Sequence, residues 1–305
     1  MTLVRVVAPA KINLTLHVTG QREDGYHLLD SLVAFAPAGD TLLMRPTGVS
    51  SITVEGPEAL GVPTDVDNLA LRAAMLTLAG AGAALTLDKH LPAASGIGGG
   101  SSDAAAAFRG ALLMMDAPKR DLLALGPEIL SETRFRPLRD LGADVPMCLL
   151  PKPLRARGIG DRIDFVELPP LPAVLVNPRV AVSTPAVFRA LKERANPPMP
   201  DALPKLADAP ALIAWLAGQR NDMEGAARGI APEIGAVLDA LAATPGCGLA
   251  RMSGSGATCF GLFADEAHAR EAAKALGDAH PNWWVAGGVL GDQTERAMPR
   301  HLPQR

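Results

Sequence analysis

The chain has 305 residues, of which 48% are hydrophobic and 20% are charged, and its formal net charge is -3. This hydrophobic share can form a substantial core, which excludes extensive disorder, and the length corresponds to about two domains. A slightly acidic chain with 4% aromatic residues lacks the basic surface and the aromatic platforms of a nucleic-acid-binding protein, so we expect no nucleic-acid partner.

The first half of the chain combines predicted strands and helices without a regular βαβ repeat. Strands are predicted where β-branched and apolar residues predominate. The predicted strands are residues 3–18, with a break at Pro9, 41–45, 51–55 and 84–87. The predicted helices are residues 68–79, for which Asn68 is a suitable N-cap, and residues 102–115.

The second half begins with a proline-rich connection. Five prolines between residues 151 and 172 indicate a link between domains. We therefore predict an N-terminal domain of residues 1–160 and a C-terminal domain of residues 161–305. The predicted strands are residues 174–176, 283–290 and the two arms of a strand–turn–strand unit at 251–263. The predicted helices are residues 185–193, 221–229, 232–243 and 265–276.

The sequence shows no signal of a membrane or secreted protein. Its longest uncharged stretch, residues 73–87, is shorter than the roughly 20 apolar residues of a membrane span. Arg5 and Lys11 interrupt the apolar N-terminal segment, so we expect no signal peptide. Three widely spaced cysteines form neither a disulfide framework nor a zinc motif. We expect a cytoplasmic protein without a membrane partner, either a monomer or a homodimer.

A glycine-rich turn before the helix at 102–115 is the most informative stretch. Without side chains, the main-chain N–H groups of such a loop can approach an anion closely, and the following helix start adds a positive dipole end. The loop lacks the lysine of a Walker A motif and departs from the Rossmann fingerprint. An ordinary tight turn with a serine cap is the alternative. The candidate phosphate-binding residues are Pro92, Gly96, Gly98, Gly99, Gly100, Ser101, Ser102 and Asp103.

Lys11 lies in an apolar strand, where an unpaired ammonium group is costly to bury. Such a lysine extends its amine to solvent, is paired, or has a function. Asn13, two residues further on, projects from the same face of the strand. The pair Tyr26-His27 follows Gly25 on a predicted turn, and surface packing is the alternative to a binding role.

Asp144 is the acidic residue in an otherwise apolar stretch, residues 141–146. A carboxylate in such surroundings either is paired with a cation or has a shifted pKa, and either state suits a general base. The alternative is a helix cap before Pro146. A second glycine turn, residues 254–256, joins the two arms of the unit at 251–263, and a plain hairpin is its alternative.

These stretches resemble the GHMP kinase family, which includes galactokinase and the homoserine, mevalonate and phosphomevalonate kinases. The similarity extends from about residue 5 to about residue 290. The matching stretches are Ala8-Pro-Ala-Lys-Ile-Asn-Leu14, Asp24-Gly-Tyr-His-Leu-Leu-Asp30, Pro92-x-x-x-Gly96-Ile-Gly-Gly-Gly-Ser-Ser-Asp-Ala, Leu141-Gly-Ala-Asp-Val-Pro146 and Arg251-Met-Ser-Gly-Ser-Gly-Ala-Thr258.

The resemblance implies a two-domain α+β fold with the active site in the cleft between the domains, and an ATP-dependent kinase that uses Mg²⁺. It implies that Asp144 accepts the proton of the substrate hydroxyl, and that Lys11 holds this carboxylate or the transferring phosphoryl group. Ser102 is the candidate magnesium ligand. The residues Gly254, Ser255 and Gly256 would help to close the ATP site.

The pattern is most similar to family members whose alcohol substrate carries a cytidine diphosphate group. It implies that Tyr26 and His27 contact the cytidine end, and that Phe188 faces Tyr26 across the cytosine ring, where stacking would use scarce aromatic residues. Asn13 is a further candidate for substrate binding. We therefore predict a small-molecule kinase for such a substrate.

Two alternatives remain open from the sequence. One is a GHMP kinase for a smaller alcohol such as homoserine or mevalonate, in which Tyr26, His27 and Phe188 would have no role. The other is a nucleotide-binding regulatory protein without catalytic activity. The presence of both Lys11 and Asp144 argues against the second alternative.

Overall fold

The structure is a computed structural model that describes residues 3–118, 121–122 and 136–303. In this part of the chain, the first of two sheets has eight strands. They are β1 (Leu3–Asn13), β2 (His17–Gln21), β3 (His27–Thr47), β4 (Ser51–Glu55), β5 (Gly82–Asp88), β6 (Leu154–Gly158), β7 (Arg162–Phe165) and β12 (Arg300–Leu302). The long strand β3 is the centre of the sheet, because it pairs with β1, β2, β5 and β6.

Helices of the first half pack on this sheet. Those within the described residues are α1 (Leu69–Leu78), α2 (Gly99–Met114), α3 (Arg136–Leu141) and α4 (Val145–Cys148). Asn68 caps α1, as predicted, since its side chain accepts hydrogen bonds from the N–H groups of Ala70 and Leu71. Four buried alanines, residues 104–107, allow α2 to pack closely against β1 and β3.

The predicted start of the second helix at Ser102 is wrong by one turn, because α2 begins at Gly99. Gly98 is its N-cap and has a φ of 65°, in the left-handed region that favours glycine. The main-chain N–H of Ser102 donates to the carbonyl oxygen of Gly98, so Ser102 already belongs to the first turn. Its hydroxyl is therefore not the helix cap.

The predicted break at Pro9 is also wrong, because β1 continues through Pro9 to its end. Its pairing with β3 shifts register between Pro9 and Lys11 instead. Proline lacks the N–H that the ladder requires, and a bulge accommodates this loss. Residues 27–40 of β3 were not predicted as strand, and Pro37 and Asp40 interrupt the apolar pattern of this stretch.

The second sheet has four antiparallel strands in the order β11-β8-β10-β9. The strands are β8 (Leu171–Asn177), β9 (Cys247–Met252), β10 (Cys259–Phe263) and β11 (Trp284–Leu290). The accompanying helices are α5 (Thr184–Ala190), α6 (Ala209–Ala217), α7 (Glu224–Ile230), α8 (Glu233–Ala242), α9 (Glu266–Ala279) and α10 (Thr294–Ala297). The predicted strands and helices of this half are confirmed to within a few residues, whereas α6 and α10 were not predicted.

The chain passes from the first sheet to the second between Phe165 and Leu171. The predicted domain boundary at residue 160 lies inside the hairpin of β6 and β7, because β7 still pairs with β6. Near the end of the chain, β12 returns to the first sheet, where Leu302 pairs with Leu3. The division at residue 160 stays a prediction, and the change of sheet comes a few residues later.

An apolar layer joins the two sheets and positions the cleft. It includes Ile12 of β1, Leu175 of β8 and Phe260 of β10, all nearly inaccessible to solvent. Burial of apolar surface contributes roughly 25 cal/mol per Å², so this layer fixes one sheet against the other. Ile12 lies between Lys11 and Asn13, and the strand that enters the layer therefore also presents these two side chains.

In the described part of the chain, no helix combines the length and the apolar character needed to cross a membrane.

Gly110 of α2 provides a test of the packing of α2 on the first sheet. A Cβ at this position would lie 2.9 Å from Cγ2 of Val6 and would also collide with Sδ of Met44. We expect Gly110→Ala to destabilise the fold by about 1–3 kcal/mol, because the buried neighbours must move. The measurement is the midpoint of thermal unfolding.

Gly277→Ala in α9 is the matched control, because nothing lies within 4 Å of the added Cβ. This substitution should stabilise the protein by up to about 1 kcal/mol through helix propensity. An unfolding midpoint of Gly110→Ala at or above that of the wild type would contradict the packing described here.

Candidate active site

A cavity of about 670 Å³ opens between the two sheets. Its walls come from β1, β3, the glycine loop and the turn before α4 on one side, and from α5 and the turn between β9 and β10 on the other. The predicted site residues that line it are Lys11, Asn13, Tyr26, His27, Gly96, Gly98, Gly99, Gly100, Ser101, Asp144, Phe188, Gly254 and Ser255. Residues from distant parts of the sequence therefore meet in one cleft.

Lys11 and Asp144 form an ion pair in the wall of this cavity. Nζ of Lys11 lies 2.8 Å from Oδ2 of Asp144. The lysine is buried, whereas 38% of the Asp144 side chain is exposed. The Asp144 side chain makes no capping hydrogen bond to α4, so the capping alternative is not found. The buried ammonium group thus has a partner, and part of the carboxylate remains accessible to a ligand.

The glycine loop and the turn between β9 and β10 contact each other main chain to main chain. Gly96 has a φ of 76° and Gly254 a φ of 57°, a region that disfavours other residues. A Cβ on Gly96 would lie 2.8 Å from the nitrogen of Gly256, and one on Gly254 would lie 2.7 Å from the oxygen of Gly96. The two turns therefore leave no room for side chains at their contact. The adjoining start of α2 favours an anion at this wall.

Four predicted residues lie outside this cavity. Ser102 is fully buried and its hydroxyl donates to the carbonyl oxygen of Pro9 at 2.6 Å, because the earlier start of α2 turns this side chain toward β1. Gly256 is buried in its turn. Pro92 and Asp103 line a smaller cavity of about 210 Å³ on the other side of the glycine loop.

Asp40, Lys89 and Asp103 form a buried ionic cluster next to the glycine loop. Nζ of Lys89 contacts Oδ2 of Asp40 and lies 3.1 Å from Oδ2 of Asp103. Oδ1 of Asp40 accepts the main-chain N–H groups of His90 and Leu91, which lead into the loop. Within the described residues, Oδ1 of Asp103 has no hydrogen-bond partner.

The charges of this cluster are not balanced. Burial raises the pKa of Asp103 to about 8, and Lys89 offsets this effect only in part. Burial also acts to lower the pKa of Lys89, but the carboxylates of Asp103 and Asp40 outweigh it, so that pKa is raised. Two buried carboxylates next to one ammonium group do not both ionise readily. We therefore infer that, at neutral pH, Asp103 is protonated and Asp40 carries the negative charge that pairs with Lys89.

Asp40 and Lys89 were not among the predicted site residues. A signal was available for Asp40, a single charge between two apolar stretches, whereas Lys89 directly follows the charged Asp88. Their partnership, however, depends on β3 pairing with β5, where the Cα of Thr41 faces that of Asp88.

His27 and Phe188 form the aromatic part of the cavity. Their rings stack with centroids 4.3 Å apart and an angle of 14° between the planes. Burial, together with the charge of Arg194, lowers the pKa of His27, which favours the neutral ring. The expected arrangement of Phe188 facing Tyr26 across a cytosine ring stays a prediction. Tyr26 is 61% exposed, because the turn at Gly25 carries it to the rim of the cleft and His27 covers Phe188 instead.

The turn between β9 and β10 is held in part by Asn221 and Thr184, which the prediction of the site did not include. Nδ2 of Asn221 donates to the carbonyl oxygens of Met252 and Gly254, at 2.8 and 2.9 Å. The hydroxyl oxygens of Thr184 and Ser255 lie 2.7 Å apart and join the start of α5 to the turn. These bonds fix the position of the turn against the glycine loop.

Among the described residues, no group of three or more His, Cys, Asp or Glu side chains is arranged to hold a metal ion. The cavity wall nevertheless offers oxygen donors between the two glycine turns and α4. These are the carboxylate of Asp144 and the hydroxyl of Ser101.

Comparison with known protein families agrees with this architecture. Residues 68–152 match the family model of the GHMP kinases N terminal domain, and residues 202–282 match that of the GHMP kinases C terminal. The chain belongs to the GHMP kinase family, and it is a kinase with an α+β fold.

Two curated relatives and one solved structure resemble the chain over nearly its full length. The 4-diphosphocytidyl-2-C-methyl-D-erythritol kinase of Roseobacter denitrificans is 55% identical over 299 residues, which cover 98% of this chain and 97% of that protein. The kinase of the same name from Dinoroseobacter shibae is 56% identical over 284 residues, 93% of each chain. A crystal structure of 4-(cytidine 5'-diphospho)-2C-methyl-D-erythritol kinase is 36% identical with a TM-score of 0.71, and the match covers 94% of this chain and 99% of that one.

Asp103→Asn should change how stability depends on pH. The folded wild type keeps a proton on Asp103 up to about pH 8, whereas the unfolded chain releases it near pH 4. Between these values the folded state binds more protons than the unfolded state, so this group makes wild-type stability fall as pH rises. Asparagine does not ionise. The unfolding midpoint of the variant minus that of the wild type should therefore increase from pH 5 to pH 8.

Asp239→Asn is the control for this measurement, because Asp239 is an exposed aspartate on α8. Its midpoint should follow that of the wild type at every pH. A constant difference between Asp103→Asn and the wild type across the range would show that Asp103 does not hold the proton.

Proposed function

We propose that this kinase transfers the γ-phosphoryl group of ATP to the 2-hydroxyl of 4-diphosphocytidyl-2-C-methyl-D-erythritol, giving ADP and the 2-phosphate. This reaction belongs to the non-mevalonate route to isoprenoid precursors. The observation that carries the proposal is the ion pair of Lys11 and Asp144 in a cavity that also contains the glycine loop and the stacked rings of His27 and Phe188. The names of the relatives support the choice of substrate.

Asp144 acts on the hydroxyl that receives the phosphoryl group. Its accessible carboxylate oxygen accepts the hydroxyl proton while the hydroxyl oxygen attacks the γ-phosphorus, and the bond from that phosphorus to the leaving ADP oxygen breaks. Lys11 holds the carboxylate and stabilises the negative charge of the transferring group. Such transfers depend mainly on positioning and charge stabilisation, so a base that orients the hydroxyl is sufficient.

The glycine loop and the start of α2 hold the phosphates of ATP. Main-chain N–H groups at a helix N-terminus bind anions, and the missing side chains at Gly98, Gly99 and Gly100 allow close approach. The smaller cavity beyond the loop, lined in part by Lys89 and Pro92, is the proposed place of the nucleoside.

Magnesium fits the same wall through its preference for oxygen. Mg²⁺ is usually held by a few protein oxygens together with substrate phosphates and waters, and the hydroxyl of Ser101 offers such an oxygen. The hydroxyl of the predicted ligand Ser102 already donates to Pro9. We therefore propose Ser101 in place of Ser102 as the hydroxyl ligand. When bound, the ion supplies neutralisation of the phosphate charge.

The aromatic residues are the proposed site of the cytosine ring. Nε2 of His27 is buried without a hydrogen-bond partner in the described chain, and the neutral ring can accept from an amino group such as that of cytosine. The face of Phe188 provides a stacking surface once His27 moves aside. Tyr26 at the rim adds a second surface. Oδ1 of Asn13 is likewise buried and unpaired, which suits a hydroxyl of the substrate.

The alternatives explain fewer of these features. A kinase for homoserine or mevalonate would leave the polar atom of His27 and the ring of Phe188 without a ligand. A regulatory protein without catalysis would not require Asp144 to be accessible beside Lys11. Cytoplasmic location, and assembly as a monomer or homodimer, stay predictions from the sequence.

Asp144→Asn tests the proposed chemistry. Removal of the base should lower kcat for the cytidyl substrate by about 10²- to 10⁴-fold. Asp140→Asn, at an exposed position on α3, is the matched control and should keep wild-type activity. The measurement is ADP release with the cytidyl substrate, homoserine and mevalonate. The proposal fails if the wild type does not turn over the cytidyl substrate, or if Asp144→Asn is as active as the wild type.

Phe188→Ala tests the cytosine site. Loss of a stacking ring costs roughly 1–3 kcal/mol per base, so KM for the cytidyl substrate should rise about tenfold or more while KM for ATP stays near the wild-type value. Trp283→Ala removes a similar stacked pair, with His280, that lies outside the cavity, and it should change neither constant. Equal increases in both KM values for Phe188→Ala would argue against a cytosine site.

A further inference from the structure

Arg109 of α2 is a fully buried cation that does not line the catalytic cleft. Within the described residues, its guanidinium group donates four hydrogen bonds, all to main-chain carbonyl oxygens. The acceptors are Val7 at 3.0 Å, Cys148 at 2.7 Å, Leu149 at 3.1 Å and Ala297 at 3.2 Å. Burial lowers the pKa of Arg109 to about 10, so the group remains charged at neutral pH.

Three of these acceptors belong to the two segments that carry the catalytic pair. Val7 lies on β1, four residues before Lys11. Cys148 ends α4 and Leu149 follows it, while Asp144 immediately precedes the same helix. One guanidinium group therefore connects the strand of Lys11 with the helix of Asp144.

The helix α4 needs a partner at its C-terminal end. It has four residues, far fewer than an isolated helix requires for stability. The last carbonyl oxygens of a helix lack N–H partners within it, and a cation near them also interacts favourably with the helix dipole. The guanidinium of Arg109 binds the carbonyl oxygens of Cys148 and Leu149. These two bonds hold the C-terminal end of α4, whose N-cap is Asp144, against α2.

Stability alone is a weak reason for such a residue. No ion pair joins Arg109 to an acidic side chain among the described residues. A buried charge is unfavourable unless it is compensated, and an apolar side chain of similar volume often stabilises a core equally well. A guanidinium group, however, offers donors in fixed directions within one plane, and it can reach several separate segments at once. In Arg109 these directions point to β1, to the end of α4 and to the end of α10.

We propose that Arg109 is a positioning residue for phosphoryl transfer, which sets the separation of Lys11 and Asp144 by binding main-chain oxygens beside both. This inference rests on the proposed function of that pair. Arg109 itself touches neither substrate nor reacting atoms in this arrangement.

Arg109→Lys and Arg109→Met test the proposal. Lysine keeps the charge without the planar fork, and methionine keeps much of the volume without either. Displacement of a catalytic group by about 1 Å can cost on the order of 10²-fold in rate, so kcat should fall about 10- to 100-fold in both variants. KM for ATP and for the cytidyl substrate should stay within about twofold, because the binding surfaces are unchanged.

Arg155→Lys is the matched control. Arg155 is also buried and binds the carboxylate of Asp30 and the carbonyl oxygens of Met199, Pro200 and Asp201. Its substitution should lower thermal stability while kcat stays near the wild-type value. A loss of kcat in Arg155→Lys equal to that in Arg109→Lys, at equal loss of stability, would overturn the positioning role.

A double-mutant cycle separates positioning from a general structural effect. If Arg109 acts through Asp144, adding Arg109→Lys to Asp144→Asn should cause no further loss of kcat. An unchanged kcat in the single variant, or the same fold loss in both backgrounds, overturns the proposal. Circular dichroism establishes that each variant is folded, and Arg109→Gln, which retains planar donors, replaces the lysine variant if that one does not fold.

Failure of the proposed function is distinguishable from failure of this inference. If the wild type does not phosphorylate the cytidyl substrate, the proposed function fails, and a crystal structure of Arg109→Lys still tests the positioning role. The distance between Nζ of Lys11 and Oδ2 of Asp144, 2.8 Å in the wild type, should then be longer. An unchanged distance overturns the inference.

Discussion

The architecture of the cleft depends on one ion pair, because the buried ammonium group of Lys11 requires an anionic partner. Strand β1 enters the apolar layer between the sheets through Ile12, and this places Lys11 in the buried wall of the cleft, where little of its side chain reaches solvent. An unpaired ammonium group would be strongly unfavourable there, whereas a nearby carboxylate compensates it. Asp144 provides that carboxylate from a helix far along the chain. The contact that makes the buried lysine tolerable is thus the same contact that assembles the proposed catalytic pair.

Helix α2 connects the remaining parts of the site, because side chains along it contact the segments that carry the site residues. Its first turn rests on the cluster of Asp40, Lys89 and Asp103, and its middle is connected by Arg109 to the segments beside Lys11 and Asp144. With both regions fixed, the N-terminus of α2 faces the cleft in one orientation. Its N–H groups can then serve a phosphate without a basic protein surface, which fits a chain with a net charge of -3.

Much of this protein could be predicted from short stretches of sequence. The glycine loop, Lys11 and Asp144 were found because their chemistry is local, since each is an unusual residue type for its surroundings. Most helices and strands of the second half were also predicted, because hydrophobic patterns and caps are local too. The start of α2 was misplaced because Gly98, and not a serine, forms its cap. That choice depends on a left-handed backbone which the residue pattern permits but does not require.

By itself, the sequence determined which chemical groups are available and the family to which the chain belongs. Only the tertiary structure decided which of them face the cleft. Ser102 turned toward β1, and His27 rather than Tyr26 covered Phe188. Likewise, the pairing of β3 with β5 brings Asp40 and Lys89 together, although they lie far apart in the sequence. The physical reason is that burial, hydrogen-bond partners and electrostatic environment arise from contacts between segments distant in the chain, and a local residue pattern does not contain them.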